Sequence, residues 1–540
     1  MNTGELIYIT ISFLLVLKLM FYLVAGLILL SGLDDLFIDL FYALRVLWRR
    51  VYTYQRHPPM AHPALDRQKE NTFAVLIPCW QEAEVIGAML ENTRKSYDYE
   101  KYHLFVGLYP NDPASQREVE RVTKNDKKVY ACLLTHDGPT NKADCLNAVL
   151  KQVWNYEKDT GRQFAGFVLH DAEDIVHPLE LKLFNHLIDR KDMIQLPVIP
   201  LERPWWDLTG AHYQDEFAEN HSKELVVREA LTGLVPCAGV GCAFSRRAFL
   251  KLLRQGDVFR PGSLTEDYDL SLRLKSLGCR EIFVRFPFVG SRGQKHIIAT
   301  REYFPNRMKD VIRQKSRWLI GIVFQSWRQQ KWTGSLTFRY GLVRDRKGFF
   351  TAWLAMVAYF LLFGMLIYWG LGKTLLAGHD MPPLVMDGEP LEYLLWINLG
   401  LLLNRALHRM YFCARIYGPL CALFSLPRQV WGNILNFLAG FRAFRLYSLH
   451  LITGQPLTWD KTVHEFPAPQ ELEPFRARLG EMLLEKQLIS ENDLTEALLA
   501  QEVTPLLLGQ ILVSRQHIDQ DVLDQLLDEQ SGERPHVNEV

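Results

Sequence analysis

Three stretches of this 540-residue chain place side chains of the right type close enough together to do chemistry. The first is VLHDAEDIVHP, residues 168–178, where the apolar run Phe167-Val168-Leu169 ends in three acids within four positions. Asp171 and Glu173, two residues apart, could hold a hard cation such as Mg2+ or Mn2+, which in turn binds a diphosphate. The same acids could instead cap the next helix. The second is LTEDYDLSLRLKSLG, residues 264–278, which reads by itself as a helix start with Thr265 as cap and acids in the first turn. The third is FPNRMKDVIRQKSRWLIGIVFQSW, residues 304–327, whose Gln314, Arg317 and Trp318 lie on a basic amphipathic helix of the kind that follows a membrane face.

The elements that must position these residues are legible from periodicity. FAVLIPC, YHLFVGLYP, KVYACLL and FAGFVLH are short runs rich in β-branched and aromatic residues, separated by helix-length polar segments. That is the pattern of a parallel α/β sheet, whose ligands bind beyond the carboxyl ends of the strands. The acids at 171–174 sit at one such end.

Residues 7–30 form an apolar run long enough to cross a bilayer, broken only by Lys18. A cleaved signal peptide is the rival reading, but Glu5 before the run and SGLDD after it fit one poorly. A second run spans 349–371, and a third, 391–413, carries Arg405, His408 and Arg409, so its far end should reach headgroups or a polar cavity. Residues 301–347 hold twelve Lys or Arg against three acids, whereas 373–392 hold one Lys and four acids, which puts the first segment in the cytoplasm and the second outside. The stretch 418–449 mixes apolar residues with Pro427 and several Arg, and reads as interfacial helices. Lys plus Arg equals Asp plus Glu at 61 each, so no net charge points to a nucleic-acid partner. All eight cysteines fall in segments assigned to cytoplasm or membrane, where thiols stay reduced, and Cys237 and Cys242 lack a second pair for zinc.

In order along the chain, the acids at 171–174, PCAGVGCAFSRRAFL at 236–250, Thr265-Glu266-Asp267 and RQKSRW at 313–318 precede a membrane hairpin. This set resembles the processive membrane glycosyltransferases of family 2, which include cellulose, chitin and hyaluronan synthases. The resemblance covers about residues 71–335 and the membrane architecture. It implies a GT-A, Rossmann-like α/β cytoplasmic domain that transfers sugar from a UDP-sugar to a glycan acceptor. In the family's terms, Asp171 and Glu173 hold Mg2+ or Mn2+, although the family usually has Asp where Glu173 stands, and Asp174 is the alternative ligand. Asp267 becomes the base, with Glu266 in support and a pKa lowered by the helix dipole. Asp112 and Glu82 follow the first two strands, where the family holds the nucleotide, and Lys142 of TNKADCLN approaches it or remains a solvated helix-start lysine. Arg317 neutralises diphosphate oxygens, and Trp318 stacks on the acceptor beside Gln314. Trp205 and Trp206 read either as sugar platforms or as core.

Beyond the membrane region RLGEMLLEKQLISENDLTEALLAQ, 478–501, is echoed by LLGQILVSRQHIDQDVLDQLLDEQ, 507–530, an internal duplication with Gly480 and Gly509 separated by 29 positions. The pair resembles the MshEN class, the N-terminal domain of type II secretion ATPases, in which an Arg, Leu-Gly pairs and spaced leucines line cyclic di-GMP in some members. The matched positions are Arg478, Gly480, Leu483, Leu484, Gln501, Leu508, Gly509, Leu512 and Val513, with Gln487 and Gln516 where that pattern has a second glycine. The alternative is a plain helical docking module. A synthase fused to such a tail resembles the bacterial inner-membrane phage-adsorption proteins. That resemblance implies an N-acetylhexosamine donor, an outer-membrane or periplasmic export partner, and an exopolysaccharide product. The expected organisation is a transmembrane helix at 1–33, a juxtamembrane helix and linker at 34–70, the glycosyltransferase domain at 71–335, a transmembrane hairpin at 336–415, interfacial helices and linker at 416–470, and a cytoplasmic helical repeat domain at 471–540.

Overall fold

The computed structural model describes residues 3–531 apart from 61–63, 66–67, 125, 290–294, 374–382, 458–463, 473–479, 481–482, 485 and 504–505. The chain opens with one unbroken helix, α1 (Thr3–Trp48). An α/β domain follows: β1 (Phe73–Pro78), α2 (Ile86–Ser96), β2 (Tyr102–Leu108), α3 (Pro113–Thr123), β3 (Val129–Leu133), α4 (Lys142–Thr160), β4 (Gly166–Leu169), β5 (Met193–Gln195), α5 (Ala211–Glu219), α6 (Leu225–Thr232), β6 (Cys242–Ser245), α7 (Glu266–Ser276), β7 (Glu281–Phe283) and α8 (Met308–Leu319).

β1 is buried at every position. Phe73, Val75 and Ile77 join one core cluster, while Ala74 and Leu76 join another on the opposite face of the sheet. A strand covered on both sides needs this uninterrupted apolar run, because neither set of alternating side chains meets water. The seven strands lie in the order β3-β2-β1-β4-β6-β5-β7. β6 runs antiparallel to both β4 and β5, so the sheet expected to be parallel is mixed. Direction is set by how the chain arrives at a strand, and the apolar residues Cys242-Ala243-Phe244 suit either sense.

Two long helices complete the chain's framework, α9 (Leu336–Lys373) and α10 (Pro390–Thr453). Among the described residues, two segments are long and apolar enough to cross a membrane, Leu14–Arg56 and Leu336–Gly370. α10 is bent at Gly418, whose φ of 85° is open to glycine, and Pro419 follows at once. Its first arm packs along α1, where Asn398 Nδ2 donates to the Ala25 carbonyl at 2.9 Å. Its second arm, after the kink, is a single helix lying against α5 and α8.

The segments read as a transmembrane helix to residue 33 and a juxtamembrane helix after it are one continuous helix, on which the acids of SGLDDLFIDLFY find polar partners. Lys347 Nζ donates to Asp34 and Asp35, each at 2.7 Å, and Asn404 Nδ2 donates to Asp39 at 2.7 Å. Arg405 reaches Asp35 at 3.2 Å and Arg409 reaches Glu219 at 3.1 Å. The basic end of the third apolar run therefore meets a polar clamp shared by α1, α9, α10 and α5.

After α10 the chain returns to the α/β domain. Arg203 pairs with Glu465 at 2.9 Å, Tyr303 donates its hydroxyl to Glu471 at 3.1 Å, and Leu472 is buried with Ile175 and Leu201. This strap leads to the tail helices α11 (Glu491–Val503), α12 (Leu508–Ser514) and α13 (Gln520–Ser531). Gln487 and Gln516 both have left-handed backbone, at φ 55° and 59°. Each ends a helix in the same way: Leu488 N–H donates to the Leu483 carbonyl at 2.9 Å, and His517 N–H to that of Leu512 at 3.0 Å. The two halves of the duplication thus share a turn that glycine usually makes. Leu483, Leu494, Leu512 and Leu523 form their common core.

Candidate functional site

A cavity of about 510 Å³ opens beyond the carboxyl end of β4 and reaches the inner ends of α1 and α9. Asp171, Glu173, Lys142, Glu266, Asp267, Gln314, Arg317 and Trp318 all line it. Residues chosen from four separate stretches of sequence therefore share one space.

Local structure explains how each arrives. Asn141 caps α4, accepting the Asp144 N–H at 2.9 Å, so Lys142 is the first helical residue. Its ammonium lies 2.6 Å from Asp171 Oδ1 and 3.7 Å from Glu266 Oε1. Burial alone would lower its pKa, but Asp171, Glu266 and Asp267 hold it above the ordinary lysine value. Lys142 is thus a half-buried bridge between the two acidic clusters, paired with carboxylates on both sides.

Thr265 precedes α7 without making a side-chain cap bond. Asp267 is packed against the Gly-rich segment, where a Cβ added to Gly239 would lie 2.6 Å from Asp267 Oδ2. Gly239 also has φ 80°, so close approach and backbone both require glycine there. Burial pushes the Asp267 carboxyl up, with Lys142 opposing, and raises Glu266 to about 7. The expectation that the helix dipole would leave Asp267 with a lowered pKa is not met, because desolvation of this half-buried carboxylate outweighs the dipole.

The two residues read as cation ligands part company. Asp171 pairs with Lys142, while Glu173 pairs with His464 on the strap. His464 Nδ1 also lies 3.8 Å from Glu82, and the three groups place a ligand atom each within 4.8 Å of one another. Burial would lower the imidazole pKa, but Glu173 and Glu82 raise it to about 9. Once the imidazole gives up its proton, two carboxylates and a ring nitrogen form an N/O donor set that suits Mn2+, with the carboxylates alone suiting Mg2+.

Asp174 does not join them. It turns inward to the fully buried His170, whose Nδ1 is 2.7 Å from Asp174 and whose Nε2 is 2.7 Å from Glu180. Burial would lower the pKa of His170, but these two acids raise it to about 10. Asp174 also accepts the Asp171 N–H at 3.1 Å, so it shapes the acidic turn from beneath.

Asp112 is committed as well. Its carboxylate caps α3 by accepting the Ser115 N–H at 3.3 Å and takes the Gln81 N–H at 2.6 Å, which ties the end of β2 to the end of β1. It lies outside the cavity lining, next to the Glu82 segment. Gln314 accepts from the Tyr213 hydroxyl at 2.7 Å, and Trp318 packs edge-on to Tyr213 with centroids 6.2 Å apart. Trp205 and Trp206 do not line the cavity.

In the tail, Gly480, Leu483, Gly509 and Leu512 are buried, Leu484, Gln501, Leu508 and Val513 are half-buried, and Arg478 lies outside the described residues. Leu483 and Leu512 hold the tail's own core.

Three features of the site escaped sequence reasoning. His464 comes from a segment with no spacing relation to Glu173. Glu302, half-buried in the cavity wall, has its carboxyl raised well above the ordinary range by desolvation and then by Asp174, Glu173 and Asp171. His170 stands within the quoted motif, and its position one residue before Asp171 was the available signal. A second cluster, Asp215 with Cys413 and Cys421, is already neutralised by Arg428, which donates to Asp215 at 2.7 and 2.8 Å.

The family model described as glycosyl transferase family group 2 matches residues 166–371. Bacteriophage adsorption protein B of Escherichia coli (strain K12) is 44% identical over 540 residues, covering 96% of this chain and 71% of that protein. Bacteriophage N4 adsorption protein B of Escherichia coli O157:H7 matches to the same extent. Among solved structures, the mannosyltransferase PcManGT from Pyrobaculum calidifontis in complex with GDP-Man and Mn2+ is 16% identical, with a TM-score of 0.44, covering 76% of this chain and 99% of that one. TarS of S. aureus is 13% identical, with a TM-score of 0.30, covering 51% of this chain and 43% of that one.

Proposed function

Because this chain belongs to the family of bacteriophage adsorption protein B and is a family 2 glycosyltransferase with a GT-A-like α/β fold, we propose that it polymerises a sugar from a nucleotide donor at the cytoplasmic face of a bacterial inner membrane. The observation that carries this reading is the meeting of both acidic clusters through Lys142, with Asp171 at 2.6 Å and Glu266 at 3.7 Å, inside a cavity that also holds Asp267 and Arg317.

Sugar transfer needs a base for the acceptor hydroxyl and positive charge for the departing diphosphate. Asp267 takes the hydroxyl proton as the acceptor oxygen bonds to the anomeric carbon. The bond from that carbon to the diphosphate oxygen breaks, and the nucleoside diphosphate leaves with the electron pair. Attack opposite the leaving group inverts the anomeric centre. Enclosure, which raises the Asp267 pKa, makes its carboxylate a stronger base than an exposed aspartate. Lys142 and Arg317 supply fixed positive charge, and Trp318 offers a ring face to the acceptor. Glu173, His464 and Glu82, with Asp171 alongside, would hold Mg2+ or Mn2+, which when bound neutralises diphosphate charge.

The finer reading is a UDP-linked N-acetylhexosamine donor and an exopolysaccharide product, passed to an export partner and recognised by phage. Asp112, Gln81 and Glu82 fit the nucleotide end of the donor site. The membrane domain is multi-pass, with α1, α9 and the first arm of α10 as spans. The tail binds cyclic di-GMP and regulates transfer; the contact of α13 with α2, the helix that follows Glu82, supports such a link.

The test is release of UDP by purified protein given a panel of UDP-sugars with Mg2+ or Mn2+, with and without cyclic di-GMP. One donor should turn over, and Asp267→Asn should remove that turnover while leaving the protein folded. Equal turnover in Asp267→Asn would reject the assigned base.

A further inference from the structure

We propose that the loop 203–210, led by Trp206 and Leu208, is a membrane-interface anchor that seats in the headgroup region of the cytoplasmic leaflet. The proposal rests on the membrane placement given above and assigns a lipid contact to a part of the α/β domain.

The loop is built rigidly. Asp207 accepts the backbone N–H groups of Thr209 at 3.0 Å and Gly210 at 2.8 Å, closing a tight turn. Arg428, on the second arm of α10, donates to the Trp205 carbonyl at 2.9 Å, and Trp431 donates its indole N–H to Thr209 at 3.1 Å. The Trp205 ring lies 4.2 Å from that of Phe424, centroid to centroid. Three contacts thus fix the loop to one helix.

Yet the largest side chain of the loop faces outward: Trp206 is 63% exposed and Leu208 39%. Next to Phe424 on the helix, Leu420 and Leu423 are 51% and 54% exposed. Residues three and four apart share a helix face, so these leucines and the loop form one apolar surface. An aromatic side chain held rigidly in water gains nothing from that exposure. At a bilayer interface the indole finds an apolar floor and polar headgroups together.

The position of the second arm identifies the occupant. Its middle packs on the first half of the α9 apolar run: Asn433 Nδ2 donates to the Tyr359 hydroxyl at 2.7 Å, and the Trp353 and Phe437 rings are 4.8 Å apart. The loop is held by residues 424–431 of this arm, directly before the residues that touch α9. The Trp206 surface therefore lies beside the apolar run of α9 read above as a span. Arg415, exposed one turn before the kink, adds a cation suited to anionic headgroups. Because the loop joins the strand Val198–Pro200 to α5, whose Tyr213 hydroxyl contacts Gln314, the anchor fixes the height of the cavity wall above the membrane.

The eight native cysteines are buried, so a nitroxide attached at Trp206→Cys or Leu208→Cys reports its own site. The full chain is reconstituted in bilayers of phosphatidylethanolamine and phosphatidylglycerol, and collision rates are measured with oxygen, which partitions into lipid, and with a water-soluble nickel chelate. Phe360→Cys, on the exposed face of α9, and Glu120→Cys, on the exposed face of α3, serve as references. The expected result is an oxygen-to-nickel ratio at both loop positions shifted from the Glu120 value towards the Phe360 value. A loop label as open to nickel as the Glu120 label, with Phe360 in lipid, overturns the anchor alone. A Phe360 label open to nickel overturns the membrane placement and the anchor with it. A loop label shielded from both reagents means that protein covers the surface, and also rejects the lipid contact.

Discussion

Gly321 lies in the wide helical turn after Trp318, far in sequence from the acidic clusters, and its replacement by alanine should cripple transfer without unfolding the protein. A Cβ at Gly321 would sit 2.1 Å from Thr265 Oγ1, 2.6 Å from its Cγ2 and 2.8 Å from its Cβ, against the 3.4 Å at which ordinary contact begins. Thr265 must then retreat by about 1.3 Å, and Glu266 and Asp267 follow it directly in the chain. A misplacement of about 1 Å at reacting groups can cost roughly 100-fold in rate, or about 2.7 kcal/mol of barrier. Gly321→Ala is therefore expected to lower kcat about 100-fold with little change in KM for the donor, read as nucleoside diphosphate release with the sugar donor that supports turnover. Adding Thr265→Ala removes Oγ1 and Cγ2 and relaxes the closest approach from 2.1 to 2.8 Å, so the double variant should recover part of the loss relative to Thr265→Ala alone. Wild-type kcat in folded Gly321→Ala would refute the reasoning, as would a double variant no less impaired than the product of the two single losses.

Other expectations follow from features away from the reacting groups. Gln487→Gly and Gln516→Gly should each stabilise the tail by about 1 kcal/mol, seen as a higher midpoint in its thermal unfolding, because glycine removes the left-handed strain. An unchanged midpoint would mean that the glutamine side chains recover that energy by contacts of their own. His221 accepts the Val198 N–H at 3.0 Å, and burial, followed by the nearby Arg285 charge, lowers its pKa to about 3. The unfolded chain takes up this proton below about pH 6.5, whereas the folded one resists it, so stability should fall with pH across that window, by about 2 kcal/mol at pH 5 from this histidine. His221→Gln should flatten the dependence of melting temperature on pH between about pH 6.5 and 5, and an unaltered slope would contradict the assignment. Arg428 and Asp215 are fully enclosed, with bonds of 2.7 and 2.8 Å between them. Arg428→Met leaves a buried carboxylate unpaired and should cost about 3–5 kcal/mol by denaturant unfolding in detergent, with a smaller loss when Asp215→Asn accompanies it.

Much of this architecture was legible where a residue's role is local. The alternation of Phe73, Val75 and Ile77 with Ala74 and Leu76 marks a doubly covered strand in the sequence itself, and β1 is one. The acids at 171–173 and 266–267 stand out because carboxylates ending apolar runs are costly, and both clusters face the cavity. What depends on distant partners was not legible. Nothing in SGLDD announces that Lys347 will pair with its acids or that Asn404 will bond Asp39 beyond it, so the partners that hold α1 there could not be read from the sequence. The pKa of Asp267 could not be read from its place at a helix start, since enclosure by Gly239 and its surroundings decides the direction. Asp174 resembles its neighbours in type but answers to His170, one turn away on the buried side.

The strap that returns from α10 also sets an order of assembly. A chain emerging from the ribosome has made Asp267, Lys142 and Glu173 long before it makes His464, and between them come both arms of α10. The contact of His464 with the acidic pocket is therefore made last, after both arms of α10 have been made. A chain halted before the strap carries Asp267 and Lys142 but lacks the imidazole that faces Glu173 and Glu82. These two carboxylates gain that counter-charge only once the strap has folded back over them.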